Sequence, residues 1–307
     1  MQINCHTHLE FTAFEELRPA TPIAFAEWLR GLVALRPLRP DGPRERLRAG
    51  IEAGIAQLLA AGTTHIGDIS QSFESVQPLL QSGLAGVVYL EVIGIVPERA
   101  YQRWDVVVRE LDCWRQHEGQ MRVGLTLHAP YSVPPDLLER GARLCQQHDI
   151  PLCIHAAESQ AEIQALGEGR GPLVDLLAPT EGAVIPVPGK SPIAYLDELG
   201  VLAAQPLLIH VVQVNDDDIA RIARSGAAVG HCPRSNTLLS CGRMPLEKLL
   251  AAGVPVSLGT DSLASSPSLD VREEAEAAVA LHAGLVPPET VRQLLVSNPF
   301  APLSVSG

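Results

Sequence analysis

The stretch "PLLIHVVQVNDDDIARIARSGAAVGHCPRSN" (206–236) contains a complete strand–helix–strand unit. An apolar run (206–214) precedes a segment (215–226) that starts with Asn and Asp and ends in Gly, the residues that commonly cap helices. A second apolar run follows (227–236). Both runs have continuous rather than alternating apolar cores, which is typical of parallel strands covered on both faces. The stretch therefore predicts a β–α–β unit of a parallel sheet.

The same unit recurs along the 307 residues. Helical patterns include 43–62, 134–149 and 287–298. Eight β–α steps predict a (β/α)8 TIM barrel forming one domain over 1–307, since such barrels need about 250 residues. A doubly wound open sheet is the alternative, but the chain lacks the G-x-G-x-x-G motif. The predicted strands lie in 2–8, 63–70, 86–95, 121–130, 151–159, 206–214, 227–236 and 255–262.

Polar side chains follow the predicted strands at their C-terminal ends. In a TIM barrel these ends meet at one mouth, where active sites lie. His6 and His8 share a face of an extended strand and suit a metal, although a chance pair would also explain them. Histidines 65, 117, 148 and 282 fall elsewhere and are predicted to be structural. The residues at strand ends are His6, His8, Asp68, Glu91, His128, His155, Glu158, His210, His231 and Asp261.

Composition limits the partners. Acidic residues exceed basic ones by 12, which argues against nucleic acid or an anionic membrane as a partner. The Arg-rich segment 36–48 is predicted to be a solvated loop. Six cysteines without a C-x-x-C pair indicate reduced thiols, and no signal peptide or apolar run of about 18 residues is visible. We therefore expect a cytoplasmic protein that acts on a small molecule.

Two long connections interrupt the regular pattern. Residues 11–42 include Trp28, and residues 160–195 are rich in Gly and Pro. Long loops in compact domains are usually functional or disordered. We expect both to form walls or lids of a substrate pocket, with a disordered insertion at 160–190 as the alternative.

Six motifs in order, "NCHTHLE", "HAPYS", "IHAAES", "LIH", "GHCPRSN" and "LGTDS", resemble the amidohydrolase superfamily over nearly the whole chain. The likeness is greatest to the mononuclear branch with cytosine, S-adenosylhomocysteine/methylthioadenosine and aminofutalosine deaminases and the chlorohydrolases. The resemblance implies that one divalent ion, Zn²⁺ or alternatively Fe²⁺, is held by His6, His8, His155 and Asp261. His210 would lie beside the metal or contact it.

The resemblance also implies catalytic roles. Glu158 would carry protons, Asp261 would help expel ammonia, and His210 or His231 would hold the attacking oxygen. A bound cation would lower the pKa of water from 15.7 to about 7. A carboxylate that only caps a helix is the alternative for both acids. The implied or suggested substrate contacts are His128, Glu91, Trp28 and Arg234, the last of which is equally explained as structural.

Absences refine the expected site. Dinuclear superfamily members bridge two metals with a carboxylated lysine on strand 4, whereas Lys190 and Lys248 lie on no predicted strand. One metal is therefore expected. The H-x-E…P-C-x-x-C signature of the cytidine-deaminase fold is also missing.

The expected barrel lacks most of the flanking β-sandwich of its relatives, because five residues precede His6 and little follows helix 287–298. We expect a natural minimal barrel or a shortened chain, with compensating substitutions or a homodimer covering the apolar surface.

The predicted activity is hydrolytic deamination of an aminated heterocycle, with an adenine-type nucleoside such as aminofutalosine as the first substrate expectation. Hydrolysis of a C–Cl, amide, lactone or ester bond at the same site is the enzymatic alternative. A barrel that holds metal without catalysis is the remaining one.

Overall fold

Residues 1–35 and 44–300 are described by the structure, a computed structural model. Eight parallel strands pair in chain order from β1 to β8, and helices connect them, which confirms the TIM barrel. The strands are β1 Ile3–Thr7, β2 His65–Ser70, β3 Ala85–Val92, β4 Met121–Leu127, β5 Leu152–Ala156, β6 Leu207–His210, β7 Ala228–His231 and β8 Val256–Leu258.

Thirteen α-helices occur in the described part of the chain. They are α1 Phe25–Leu35, α2 Arg44–Ala60, α3 Val76–Gln81, α4 Pro97–Trp114, α5 Pro135–His148, α6 Gln160–Glu168, α7 Pro172–Leu177, α8 Pro192–Glu198, α9 Asp216–Ser225, α10 Pro233–Leu238, α11 Leu246–Ala251, α12 Val271–Leu281 and α13 Pro288–Gln293. Helix α9 has the cap predicted for it, since Asn215 and Asp218 form a reciprocal capping box and Gly226 ends the helix at a φ of 77°.

Each strand separates two apolar layers. Alternate residues face the barrel interior, and the others pack between sheet and helices. On β3, Val87 and Tyr89 belong to the interior cluster, whereas Val88 and Leu90 belong to the outer layer. Glu91 therefore continues the inward-facing series at the C-terminal end of its strand.

Side chains at the seam between β8 and β1 close the barrel. The Asn4 amide donates to Thr260 Oγ1 at 2.8 Å, and the Thr260 N–H donates to Asn4 Oδ1 at 3.0 Å. A Cβ on Gly259 would lie 2.8 Å from the Cβ of His6, so only glycine allows this approach. The Asp261 N–H then donates to the carbonyl of His6 at 3.0 Å. The seam thereby joins the first and last polar motifs of the chain.

The structure corrects several sequence-based boundaries. The 36–48 segment is not entirely a loop, because α2 begins at Arg44 and buries Leu47, while residues 36–43 lie outside the described part. The 160–195 connection contains α6, α7 and the start of α8, so the disordered alternative is wrong there. Strands β6, β7 and β8 end at His210, His231 and Leu258, earlier than the apolar pattern predicts.

Candidate metal and catalytic site

Five predicted side chains from β1, β5, β6 and the segment after β8 meet at the barrel mouth. The ligating atoms of His6, His155 and His210 all lie within 4.8 Å of one another, as do those of His6, His8 and Asp261. His8 Nε2 is 3.3 Å from His155 Nε2. His6 Nε2 and His8 Nε2 are 3.6 Å and 3.8 Å from Asp261 Oδ1. The structure thus brings the whole predicted ligand set together.

Departures from regular strand geometry direct these side chains to the mouth. The pairing of β1 with β2 shifts register between Asn4 and Thr7, next to His6. His210 and Asp261 have φ angles of 75° and 60°, in the left-handed region that non-glycine residues rarely adopt. Such conformations cost about 1–3 kcal/mol each and concentrate at functional sites. The left-handed His210 also explains why β6 ends there, before the apolar pattern does.

Hydrogen bonds to the outer ring nitrogens fix two of the imidazoles. His155 Nδ1 donates to the carbonyl of His128 at 2.9 Å, and His210 Nδ1 donates to Asn236 Oδ1 at 2.9 Å. Both acceptors lack protons of their own, so each ring carries its hydrogen on Nδ1 and presents the lone pair of Nε2 to the cluster. Metal-binding histidines are commonly oriented in this way.

Three serines hold the Asp261 carboxylate. Ser235 Oγ and Ser265 Oγ donate to Oδ2 at 2.7 Å and 2.8 Å, and the Ser262 N–H donates to Oδ1 at 2.8 Å. Burial raises the pKa of Asp261, but the facing imidazoles of His6, His8 and His210 outweigh it and bring that pKa well below its ordinary value. Asp261 is therefore an ionised ligand candidate.

The residues present fit a divalent cation. His6 Nε2 is buried and has no hydrogen-bond partner among residues 1–35 and 44–300, although it faces the other ligating atoms. Burial lowers the pKa of His8 to about 3 and that of His210 to about 4, so both are neutral at pH 7 and can donate lone pairs. Neutral imidazoles with one carboxylate suit a borderline ion such as zinc.

Glu158 lies at the edge of this cluster. Its Oε1 is 3.5 Å from His210 Nε2 and 3.9 Å from Cys241 Sγ. Burial, together with the negative charges of Asp261 and Glu162, raises the pKa of Glu158 well above its ordinary value. A buried carboxyl with a raised pKa is suited to the transfer of protons at a reacting centre.

Two predicted substrate contacts also reach the mouth. The His128 ring centroid is 5.2 Å from that of His155, and its Nδ1 is 2.5 Å from Ser132 Oγ. Glu91, at the inward end of β3, is 3% exposed, and its Oε1 has no hydrogen-bond partner within the described ranges. Burial raises the pKa of Glu91 to about 8. An unpartnered buried carboxyl at an active-site mouth is a strong candidate for a ligand contact.

His231 lies on the other side of its strand. Ala228 and Cys232 face the barrel interior, which places His231 in the layer between β7 and the helices. There its Nε2 is 3.1 Å from His282 Nε2. The sequence predicts a structural role for His282, and this buried pair is consistent with that role. A catalytic role for His231 stays a prediction.

Trp28 and Arg234 bind neighbouring protein groups. Trp28 Nε1 donates to the Ala264 carbonyl at 2.9 Å and so ties α1 to the loop that carries Asp261. Arg234 Nε donates to Glu274 Oε1 at 2.6 Å. Their observed contacts support the walls of the mouth, and their roles in substrate binding stay predictions.

Several supporting residues were missed in the sequence. Asn236 and Ser235 belong to the "GHCPRSN" motif, but only the folded chain shows that they hold His210 and Asp261. Asp68 was noted at a strand end, yet it accepts hydrogen bonds from Thr7 Oγ1 and the Leu9 N–H and so supports the loop after β1.

A family model described as the amidohydrolase family matches residues 2–296. The chain belongs to the amidohydrolase family. This membership confirms the resemblance and the predicted class, a hydrolase of C–N bonds other than peptide bonds.

Among residues 1–35 and 44–300, none of the helices has both the length and the apolar character that a membrane span requires.

Several proteins that are similar to this chain are named as deaminases. The chain is 39% identical over 300 residues to an aminodeoxyfutalosine deaminase of Deinococcus radiodurans, covering 94% of this chain and 69% of that protein. It is 32% identical to a 5-methylthioadenosine/S-adenosylhomocysteine deaminase of Thermococcus kodakarensis, covering 91% and 62% of the two chains. The crystal structure of an adenosine deaminase from Xanthomonas campestris with bound zinc superposes with a TM-score of 0.75 at 26% identity, covering 96% and 64%.

Removal of a ligand side chain is expected to abolish tight metal binding. His6→Ala and Asp261→Asn should each weaken Zn²⁺ binding by at least about 100-fold. Mutation of residues that only hydrogen-bond to metal ligands already costs about 10- to 100-fold in affinity. Competition with a chelating dye measures the affinity. His148→Ala, at an exposed position on α5, is the control. Zinc affinity equal to that of the parent in both ligand variants would contradict the assignment.

The buried His231–His282 pair is expected to make stability depend on pH. Burial, with a smaller effect of Arg243, lowers the pKa of His282 to about 4 from an ordinary 6.5. Between these values the unfolded chain binds more protons, so the contribution is complete above pH 6.5 and is lost as pH falls toward 4.

Urea unfolding of the parent and of His282→Gln across this pH range measures the effect. The variant should show a shallower decrease in unfolding free energy with falling pH, while His148→Gln should follow the parent. An unchanged slope in His282→Gln would show that this pair does not contribute.

Proposed function

We propose that this protein is a zinc-dependent aminohydrolase that deaminates an adenine-type nucleoside. The observation that carries the proposal is the Glu158 carboxyl, 3.5 Å from His210 at the edge of a cluster of neutral histidines and one carboxylate. The 39% identity to an aminodeoxyfutalosine deaminase supports the substrate class. The zinc-bound adenosine deaminase supports the choice of metal.

The residues divide the reaction between them. His6, His8, His155 and Asp261 would hold a divalent ion, which would supply the Lewis acidity that makes water nucleophilic near pH 7. Glu158 takes a proton from the attacking water and delivers it to the ring nitrogen next to the carbon under attack. Asp261 accepts the second water proton and passes it to the leaving amine, so that one water is consumed and one ammonia is released. His210 would lie beside the ion, where its Nε2 lone pair would accept a hydrogen bond from the attacking water and so hold the attacking oxygen in place.

Glu91 and His128 are proposed to bind the part of the nucleoside remote from the amine. Strands β3 and β5 are two positions apart in the sheet. Neighbouring strands are about 4.8 Å apart, so Glu91 lies about 10 Å around the rim from His155. That span is comparable with the distance from the amino-bearing carbon of adenine to the ribose hydroxyls. The unpartnered Glu91 carboxyl would accept a hydrogen bond from the sugar.

We also propose a cytoplasmic location. The support is the presence of six unpaired cysteines, of which all but Cys113 are buried. Such thiols are typical of a reducing compartment.

A substrate panel with a Glu158 variant tests the reaction. The zinc-loaded protein should release ammonia from adenosine or 5′-methylthioadenosine in preference to cytosine, pterins or esters. Glu158→Gln should lower kcat by about 100-fold or more, because it cannot carry protons, while zinc content stays unchanged. Glu168→Gln, on the exposed side of α6, is the control. A fully active Glu158→Gln variant, or ester cleavage without ammonia release, would refute the proposal.

The role of Glu91 is tested with deoxynucleosides. Glu91→Leu should lower kcat/KM for adenosine by about 10- to 100-fold, because it removes the hydrogen bond and leaves a buried sugar hydroxyl without a partner. The same substitution should lower kcat/KM less for 2′-deoxyadenosine or 3′-deoxyadenosine, because whichever of these lacks the hydroxyl that binds Glu91 has already lost that hydrogen bond. Glu91→Gln retains an acceptor and should be intermediate. Equal losses on all three nucleosides would exclude a sugar contact.

A further inference from the structure

Glu162, on the first turn of α6, is a fully buried carboxylate without a part in the proposed proton transfers. It is 1% exposed and makes no ion pair in the described ranges. Its Oε1 accepts from the Ala157 N–H at 3.1 Å, and its Oε2 accepts from the Glu158 N–H at 2.8 Å. One side chain therefore binds two consecutive backbone amides immediately after β5.

These amides belong to a strained turn. Ala157 has a φ of 52°, in the left-handed region. A non-glycine residue there is held by its surroundings at a cost of about 1–3 kcal/mol. The turn changes the chain direction between His155, which faces the metal cluster, and Glu158. The orientation of Glu158 therefore depends on whatever holds this turn.

The same turn also supports β6. The Ala157 carbonyl accepts from the Val212 N–H at 2.9 Å and from the Gln213 N–H at 2.8 Å, just after His210. Both polar groups of the Ala157 backbone are thus hydrogen-bonded. The N–H donates to Glu162, and the carbonyl accepts from the two residues that follow β6 and Val211. The two elements that carry Glu158 and His210 meet at this residue.

We propose that Glu162 is a positioning residue that aims Glu158 at the reacting atoms by binding the backbone N–H groups of Ala157 and Glu158. The kinetic part of this inference rests on the proposed deamination. Glu162 makes its hydrogen bonds to the backbone of the turn rather than to the ligand cluster, so it acts on the position of Glu158 through the backbone. A helix-capping role alone is assigned to Ser159, whose Oγ accepts from the Glu162 N–H at 3.3 Å.

Backbone hydrogen exchange tests the geometry without reference to activity. In Glu162→Gln, the amide that replaces one carboxylate oxygen can no longer accept from both N–H groups. Exchange in a peptide spanning 156–163 should become at least about tenfold faster than in the parent, which corresponds to the loss of about 1.4 kcal/mol. Ser159→Ala removes the helix cap but leaves both Glu162 bonds, and should accelerate exchange less. Equal exchange in parent and Glu162→Gln would overturn the inference even if deamination is established.

Kinetics on 5′-methylthioadenosine, or on adenosine if it is the better substrate, test the positioning role. Glu162→Gln should lower kcat by about 10- to 100-fold with KM within about twofold and unchanged zinc content, because misplacement of a reacting group affects the chemical step. In the Glu158→Gln background it should have no further effect, since the group that it aims is already disabled. Glu162→Asp, which keeps the charge, provides a second variant if Glu162→Gln does not fold.

The outcomes separate the two proposals. Unchanged kcat in Glu162→Gln, additive losses in the double variant, or an equal loss in Ser159→Ala would each overturn the positioning role. Absence of ammonia release by the parent from every nucleoside would refute the proposed function and with it the kinetic part of this inference.

Discussion

The seam between the first and last strands is the constraint on which the rest of the structure depends. Asn4 and Thr260 exchange two hydrogen bonds there, and Gly259 allows β8 to approach His6. Without this closure Asp261 would not face His6 and His8, and the cluster would lose the carboxylate that lies nearest to them. Because the seam uses side chains and one glycine rather than a long run of backbone pairs, a few residues determine both barrel closure and site assembly.

Electrostatics at the mouth follow from the closed barrel. Burial lowers the pKa values of His8, His155 and His210, whereas the facing histidines bring the pKa of Asp261 well below its ordinary value. The cluster thus presents lone pairs and a single negative charge, which is a suitable environment for one cation. The pKa of Glu158 shifts in the opposite direction, since burial and the negative charges of Asp261 and Glu162 raise it well above its ordinary value. The pKa values of two nearby carboxyls therefore shift in opposite directions because their neighbours differ.

The sequence predicted the barrel and the residues at its mouth because both depend on local patterns, whereas the expected ligand set came from the resemblance to the amidohydrolases. Apolar runs with a polar residue at the end identify strands and mouth residues such as His155. It did not predict that His231 would lie in the outer layer, since the side of a strand depends on register across the sheet. Glu162 was missed for a similar reason. A glutamate three residues into a helix usually caps the helix, and only the left-handed turn at Ala157 brings two other amides to it.

The distance along the chain between the two halves of the seam has a consequence for how the protein is made. Asn4 and Thr260 are 256 residues apart, so the barrel cannot close, and the histidine–aspartate cluster cannot form, until the residues of β8 and Asp261 have left the ribosome. Until then, one edge of β1 is unpaired and its histidines are exposed, a state that is prone to misassociation. Any binding of metal at the complete cluster must accordingly follow the synthesis of β8.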